Sequence, residues 1–161
     1  MTAAVVGMAM LGAGALAVSA TAPGFAKAPP KAAKTAPKTI IVEMKDMGPE
    51  GAMVFVPGFV KANPGDTVRF VPTSPAHNAE TIATMLPAGV APTKGGMNKA
   101  FDLVVTTPGV YGIKCLPHYS MGMVALVQVG NGPSANLAAA KAVKLPPFAN
   151  KRMSAYLAKA Q

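Results

Sequence analysis

The stretch C-L-P-H-Y-S-M-G-M at residues 115–123 holds the only cysteine of the chain, Cys115, together with His118 and two methionines. The only other histidine is His77, which lies well upstream of this stretch. One thiolate, two imidazoles and a thioether are the donors of a blue-copper electron-transfer site, because soft sulfur suits Cu(I) and imidazole also binds copper well. The pattern therefore predicts one copper ion that cycles between Cu(I) and Cu(II), held by His77, Cys115, His118 and one methionine.

Other uses of these groups fit the sequence less well. Structural zinc usually takes four strong ligands, and methionine is a poor zinc ligand, so zinc would be one ligand short here. A hydrolase could use Cys115 as a nucleophile with His77 or His118 as its base, but the sequence carries no signature of such an enzyme. The alternative is a copper chaperone or storage protein, although the eleven methionines do not form repeated Met-x-x-Met clusters. We therefore expect an electron carrier and not an enzyme.

The first 38 residues do not resemble part of a folded core. Residues 1–26 hold no charged side chain and combine an apolar run with small residues after it, which is typical of a signal peptide for export. No Lys or Arg precedes the run, so an uncleaved membrane anchor is the alternative, although the run is short for a span of about 20 apolar residues. Residues 27–38 contain only Lys, Ala, Pro and Thr and predict a linker or an extended tail. Residues 39–161 form the predicted domain.

The charge of the chain bears on its partners. The formal net charge is +9, and a basic balance favours acidic partners. Nucleic acid is the generic alternative, but the sequence has no basic clusters interleaved with aromatic residues, so we do not expect it as a partner. A single cysteine in an exported chain cannot form an internal disulfide, which is consistent with a role as a metal ligand.

Residues 39–129 have the pattern of a β-sandwich. Short apolar or alternating runs are separated by turn residues such as Asn63, Pro64, Gly65 and Asp66. About seven such runs over about 90 residues indicate an antiparallel sandwich. The predicted strands cover residues 40–44, 53–56, 58–62, 67–71, 101–105, 110–115 and 124–129.

Helical structure is predicted in two places. A short helical turn is expected near Met85, and a helical extension is expected over residues 134–160. In that extension, Ser134 would cap a first helix, and a second helix would start at Pro147. The second helix would bury a rough apolar stripe. This stripe comprises Phe148, Met153, Tyr156, Leu157 and Ala160.

The chain resembles the pseudoazurins, which are periplasmic cupredoxins of bacteria. The motifs that carry the resemblance are EGAMVF at 50–55, KANPGDTV at 61–68, HN at 77–78, PGVY at 108–111 and KCLPHYSMGM at 114–123. The two C-terminal helices distinguish this family from plastocyanins, which share the Cys-to-Met spacing but end at the sandwich. The resemblance implies an all-β fold, a Greek-key cupredoxin β-sandwich with two C-terminal α-helices. It also implies a monomer located in the periplasm.

The resemblance assigns roles that spacing alone leaves open, since either methionine could be the axial ligand. It makes Met123 the axial ligand and leaves Met121 at the surface. It also implies that the backbone N–H of Asn78 points at the cysteine sulfur, while the side chain of Asn78 holds the ligand loop. Pro117 is expected to restrict that loop and to shield one edge of the neighbouring imidazole.

The expected docking surface surrounds His118, through whose edge electrons would enter and leave. Met53, Pro117 and Met121 would form its apolar centre, and Lys114 is the lysine best placed to attract acidic partners. The weaker candidates for this role are Lys61, Lys94 and Lys99. The resemblance implies that the partners are redox proteins of denitrification, namely a copper nitrite reductase or a similar reductase, with a c-type cytochrome as donor. Neither nucleic acid nor, after signal cleavage, a membrane is an expected partner.

Overall fold

The structure is a computed structural model that describes residues 36–161, and these form two four-stranded β-sheets followed by two helices. The signal peptide predicted for residues 1–26 and most of the linker predicted for residues 27–38 lie outside the described residues. Neither helix of the described part is long and apolar enough to cross a membrane. The elements are β1 Thr39–Gly48, β2 Gly51–Val56, β3 Phe59–Ala62, β4 Thr67–Pro72, β5 Glu80–Thr81, a 3-10 turn at Ala83–Met85, β6 Phe101–Val104, β7 Gly109–Lys114, β8 Val124–Val129, α1 Leu137–Ala142 and α2 Pro147–Leu157.

Both sheets are mixed, whereas the sequence predicted antiparallel pairing. The strand order is β2-β1-β4-β6 in one sheet and β3-β8-β7-β5 in the other. The β1–β4 and β3–β8 pairs are parallel, and the remaining pairs are antiparallel. The parallel pairs arise because the chain changes sheet after Pro57, so that β4 returns beside β1 and not beside β3.

The main core lies between the two sheets and follows the alternation of the strands. In β4, Val68 and Phe70 are fully buried, while Arg69 between them points to solvent and pairs with Asp102. β8 differs because all six of its residues are buried. Its outer face is covered by α2, and five of its six residues are apolar, as is typical of strands covered on both faces, with Gln128 as the one polar residue. The residues that α2 buries there are Ala149, Met153, Tyr156 and Leu157.

The two predicted C-terminal helices are present, but two details of the prediction are corrected. The first helix begins at Leu137, and Asn136, not Ser134, occupies its N-cap position. The Asn136 side chain instead accepts a bond from the Val110 N–H and donates one to the Val110 carbonyl, at 2.9 and 2.8 Å. These two bonds fix the start of the helix against β7. Phe148 is 68% exposed, so it does not belong to the buried stripe of α2.

One short strand, β5, was not predicted, because two residues show no periodicity. Its pairing with β7 places Glu80 opposite Lys114, directly before Cys115. The chain preceding β5 carries His77 and Asn78, both of which are buried. This strand pair therefore brings the first predicted ligand next to the cysteine.

Candidate metal centre

Three of the predicted ligands meet where β7 ends. The Cys115 Sγ lies 3.7 Å from His77 Nδ1 and 3.6 Å from His118 Nδ1, and the two nitrogen atoms are 3.1 Å apart. His77 and Cys115 are fully buried, while His118 is partly exposed. The sequence prediction that these three residues come together is confirmed.

The size of this triangle suits one metal ion. Bonds from a metal to imidazole nitrogen and to thiolate sulfur are about 2.0–2.3 Å, so one ion can bond to all three facing atoms. The fully buried Met123 belongs to the same core as Cys115 and adds a soft thioether to the surroundings. A thiolate, two imidazoles and a thioether form a donor set that copper prefers over zinc.

The ligand loop between β7 and β8 is closed by its own backbone. The Cys115 N–H donates to the Met123 carbonyl at 3.0 Å, and the Met121 and Met123 N–H groups both donate to the His118 carbonyl at 3.1 Å. Gly122 has a φ of +92°, and a Cβ atom there would lie 3.1 Å from the backbone of Phe148. The glycine therefore allows both the turn and the close approach of α2.

Asn78 connects the two segments that carry the ligands. Its Oδ1 accepts a bond from the Leu116 N–H at 2.8 Å, and the Asn78 Nδ2 lies 3.5 Å from the Gly95 carbonyl. Burial raises the pKa of the Cys115 thiol, and hydrogen bonding from the backbone of Asn78 and of His118 acts in the opposite direction. The Asn78 side chain therefore ties the ligand loop to the segment that carries His77.

Burial controls the proton affinity of two of the donors. It raises the pKa of the Cys115 thiol, and the N–H groups of Asn78 and His118 offset this effect only in part. Burial also lowers the pKa of His118, and the neighbouring His77 lowers it further. The imidazole of His118 is thus neutral and available at neutral pH, while a metal ion must displace the thiol proton when it binds.

Asp46 is a residue of this site that the sequence analysis missed. Its Oδ1 lies 2.9 Å from Nε2 of His77, the ring nitrogen that faces away from the cysteine. The carboxylate is brought there because β1 runs parallel to β4, so that the chain after β4 passes the end of β1. A single aspartate near the end of a strand gives no sequence signal for such a contact.

The predicted docking residues lie around the loop with different exposure. Met121 is 51% exposed and Met53 is half-buried, while Pro117 is exposed. Lys114 is less free than expected: its Nζ is 3.1 Å from Glu80 Oε1 and lies 5.0 Å from the centre of the Tyr119 ring. Its positive charge is therefore partly neutralised within the protein.

The chain matches the family of copper binding proteins described as the plastocyanin/azurin family, over residues 42–130. Pseudoazurin of Paracoccus pantotrophus is 49% identical over 146 residues, which cover 91% of this chain and 92% of the relative. Pseudoazurin of Methylorubrum extorquens is 43% identical over 122 residues, which cover 76% of this chain and 82% of the relative. The crystal structure of native pseudoazurin from Hyphomicrobium denitrificans is similar with a TM-score of 0.72 and 48% identity, covering 76% of this chain and 98% of that chain.

The mixed sandwich and the His–Cys–His cluster at its end define a cupredoxin. The chain belongs to the plastocyanin/azurin family of copper-binding proteins and, within it, to the pseudoazurins. Copper is its cofactor, and it is a type 1 copper electron-transfer protein rather than an enzyme.

Proposed function

We propose that this protein carries single electrons in the periplasm, with copper held by His77, Cys115, His118 and Met123. The observation that carries the proposal is the close approach of two imidazole nitrogens and one thiol sulfur. Two of the three residues, His77 and Cys115, are fully buried. The proposed acceptor is a reductase of denitrification, such as a copper nitrite reductase, and the proposed donor is a c-type cytochrome. The basic charge of the chain and the pseudoazurin relatives support these partners.

The protein's own part in this function is to keep the donors in place. Bound copper supplies the one-electron change between Cu(I) and Cu(II). His77 and Cys115 are enclosed by the core, and the bond between Leu116 and Asn78 holds the loop beside them. Because the sheets fix these side chains, the site is built to change oxidation state with little movement.

The route for electrons leads through His118, the ligand that reaches the surface. Leu116, Pro117 and Met121, which lie within three residues of His118 in the chain, have exposed apolar side chains. A small apolar patch permits a brief encounter, since weak redox complexes bury little surface. We place the docking site for both partners on this patch, with Met53 at its half-buried edge.

A titration of the purified protein with Cu(II) tests the proposal. We expect an intense visible absorption and a type 1 EPR signal that saturate at one copper per chain and disappear and return on reduction and reoxidation. A competing Cu(I) chelator distinguishes the alternative, since a copper chaperone would release Cu(I) readily whereas a carrier retains it. Binding without the intense absorption, or rapid loss of Cu(I) to the chelator, would contradict the proposal.

The two loop methionines give a prediction about the axial ligand. Met123→Leu is expected to change the visible spectrum and the reduction potential while copper stays bound, because the axial bond is weak but tunes the potential. Met121→Leu is the matched control, since it makes the same change at a half-exposed side chain. Leucine keeps the apolar volume, so each variant should lose less than about 1.5 kcal/mol of folding stability. Spectra and voltammetry of both proteins check this; a shift in Met121→Leu alone would reverse the assignment.

Lys114 gives a prediction about docking. Lys114→Gln is expected to slow electron transfer to an acidic reductase several-fold at low salt, because rim charges mainly change the association rate. The difference should shrink at physiological ionic strength, where the screening length is about 8 Å. Lys61→Gln is the control: Lys61 was a weaker candidate for the docking surface, but it is exposed and lies opposite Gln128, near the end of β8 that is remote from the ligand loop. Stopped-flow rates over a salt series are the measurement, and coincident curves for all three proteins would remove Lys114 from the docking surface.

A further inference from the structure

Asp46 is the only acidic residue of the described chain within hydrogen-bonding distance of a histidine of the site. Its Oδ1 is 2.9 Å from His77 Nε2, and the imidazole it contacts is fully buried, whereas its own side chain is 49% exposed. The backbone holds the carboxylate in place, since the Asp46 N–H donates to Ser74 Oγ at 3.1 Å. The contact with His77 is thus supported by a backbone hydrogen bond near the end of β1.

This contact decides which ring nitrogen of His77 carries the proton. A neutral imidazole has one N–H and one lone pair, and a carboxylate accepts only the N–H. With the proton on Nε2, the lone pair lies on Nδ1, the atom that faces Cys115 and His118. Carboxylates behind metal-binding histidines fix the tautomer and ring orientation in this way.

The charge of Asp46 has a second consequence. Lys45, next to Asp46 on β1, is paired with Glu43, and Lys114, next to Cys115 on β7, is paired with Glu80. Among the ion pairs of residues 36–161, Asp46 has no Lys or Arg partner, so its negative charge is not cancelled by one. A negative charge beside a ligand favours the more positively charged oxidation state of a metal.

We propose that Asp46 is a positioning residue of the copper centre, which orients His77 through Nε2 and lowers the reduction potential through its charge. The inference rests on the proposed function, because it assigns a role toward the copper that His77 would bind. If the inference is correct, substitutions of Asp46 should separate the effect of the hydrogen bond to His77 from the effect of the negative charge.

The experiment compares three variants of the full chain. Asp46→Asn keeps an oxygen acceptor and removes the charge, Asp46→Ala removes both, and Asp102→Asn removes a charge that faces Arg69 instead. We expect Asp46→Asn to raise the reduction potential and to weaken Cu(II) binding more than Cu(I) binding. We expect Asp46→Ala to raise the potential as well and to lose about 10- to 100-fold in copper affinity, as second-shell changes typically do. Asp102→Asn should match the wild type.

Nitrogen NMR of the His77 ring in the copper-free proteins provides a readout that does not depend on a working copper site. The proton should stay on Nε2 in the wild type and in Asp46→Asn, and should distribute over both nitrogens in Asp46→Ala. Equal potentials for Asp46→Asn and Asp102→Asn would overturn the charge effect, and an unchanged tautomer in Asp46→Ala would overturn the positioning role. Absence of a type 1 copper spectrum in the wild type would instead count against the proposed function, while the tautomer result would still stand on its own.

Discussion

Replacing Cys115 with serine is expected to abolish the intense visible absorption of the copper-loaded protein. The absorption requires a thiolate bound to Cu(II), and serine offers a hydroxyl that does not ionise at neutral pH and binds copper weakly. The fold should survive, because serine is close to cysteine in size and its hydroxyl oxygen can accept hydrogen bonds from the backbone of Asn78 and of His118. The buried hydroxyl should cost about 1–3 kcal/mol of stability.

Three measurements check this prediction together. Visible spectroscopy with added Cu(II) follows the absorption, far-ultraviolet circular dichroism follows the sheets, and urea unfolding of the copper-free protein follows stability. Leu116→Ser is the matched control, since it introduces the same side chain at the next position, where the residue is 57% exposed. It should retain the full absorption. Survival of the colour in Cys115→Ser would show that the thiolate does not bind the metal.

Much of this structure was predictable because local chemistry and tertiary structure agree. Seven strands were placed to within a few residues, since most of the apolar runs end within two residues of a proline or glycine, as at the turn with Gly65, whose φ is +100°. The metal centre was predictable for another reason. A chain with one cysteine and two histidines has few ways to use them, and Cys115, His118 and His77 do come together.

The features that sequence reasoning missed depend on contacts between distant segments. Asp46 reaches His77 only because two strands run parallel, and Asn136 bonds to β7 instead of capping its own helix. Phe148 has the spacing of a core residue of α2 but is 68% exposed. Periodicity reports which residues share a face of one element, and it does not report how far the neighbouring element extends.

Arg152 shows how such a distant contact can support the metal centre. Its guanidinium, on α2, donates to the backbone carbonyl of Met53 at 2.8 Å and to that of Gly122, the residue before Met123. It also reaches the carbonyls of Glu50 and Ala52, at 3.2 and 3.3 Å. One side chain therefore joins α2, the start of β2 and the ligand loop.

Replacing Arg152 with methionine is expected to destabilise the copper-free protein by about 2–4 kcal/mol, because hydrogen bonds from charged groups are stronger than neutral ones and several carbonyls would lose their partner. Methionine keeps much of the apolar stem, so the effect reports on the guanidinium rather than on lost packing. The loaded protein should also show an altered spectrum, since the carbonyl of Gly122 would no longer be tied to α2.

Two further variants decide whether the geometry of the guanidinium is responsible. Arg152→Lys keeps the charge but replaces the planar fork by a single ammonium, so it should restore only part of the stability. Lys151→Met removes a charge from the exposed neighbouring position and should change stability by no more than about 0.5 kcal/mol. Urea unfolding of all four proteins is the measurement. Full recovery in Arg152→Lys would mean that charge alone matters, whereas equal midpoints for Arg152→Met and the wild type would mean that the bonds of Arg152 do not stabilise the fold.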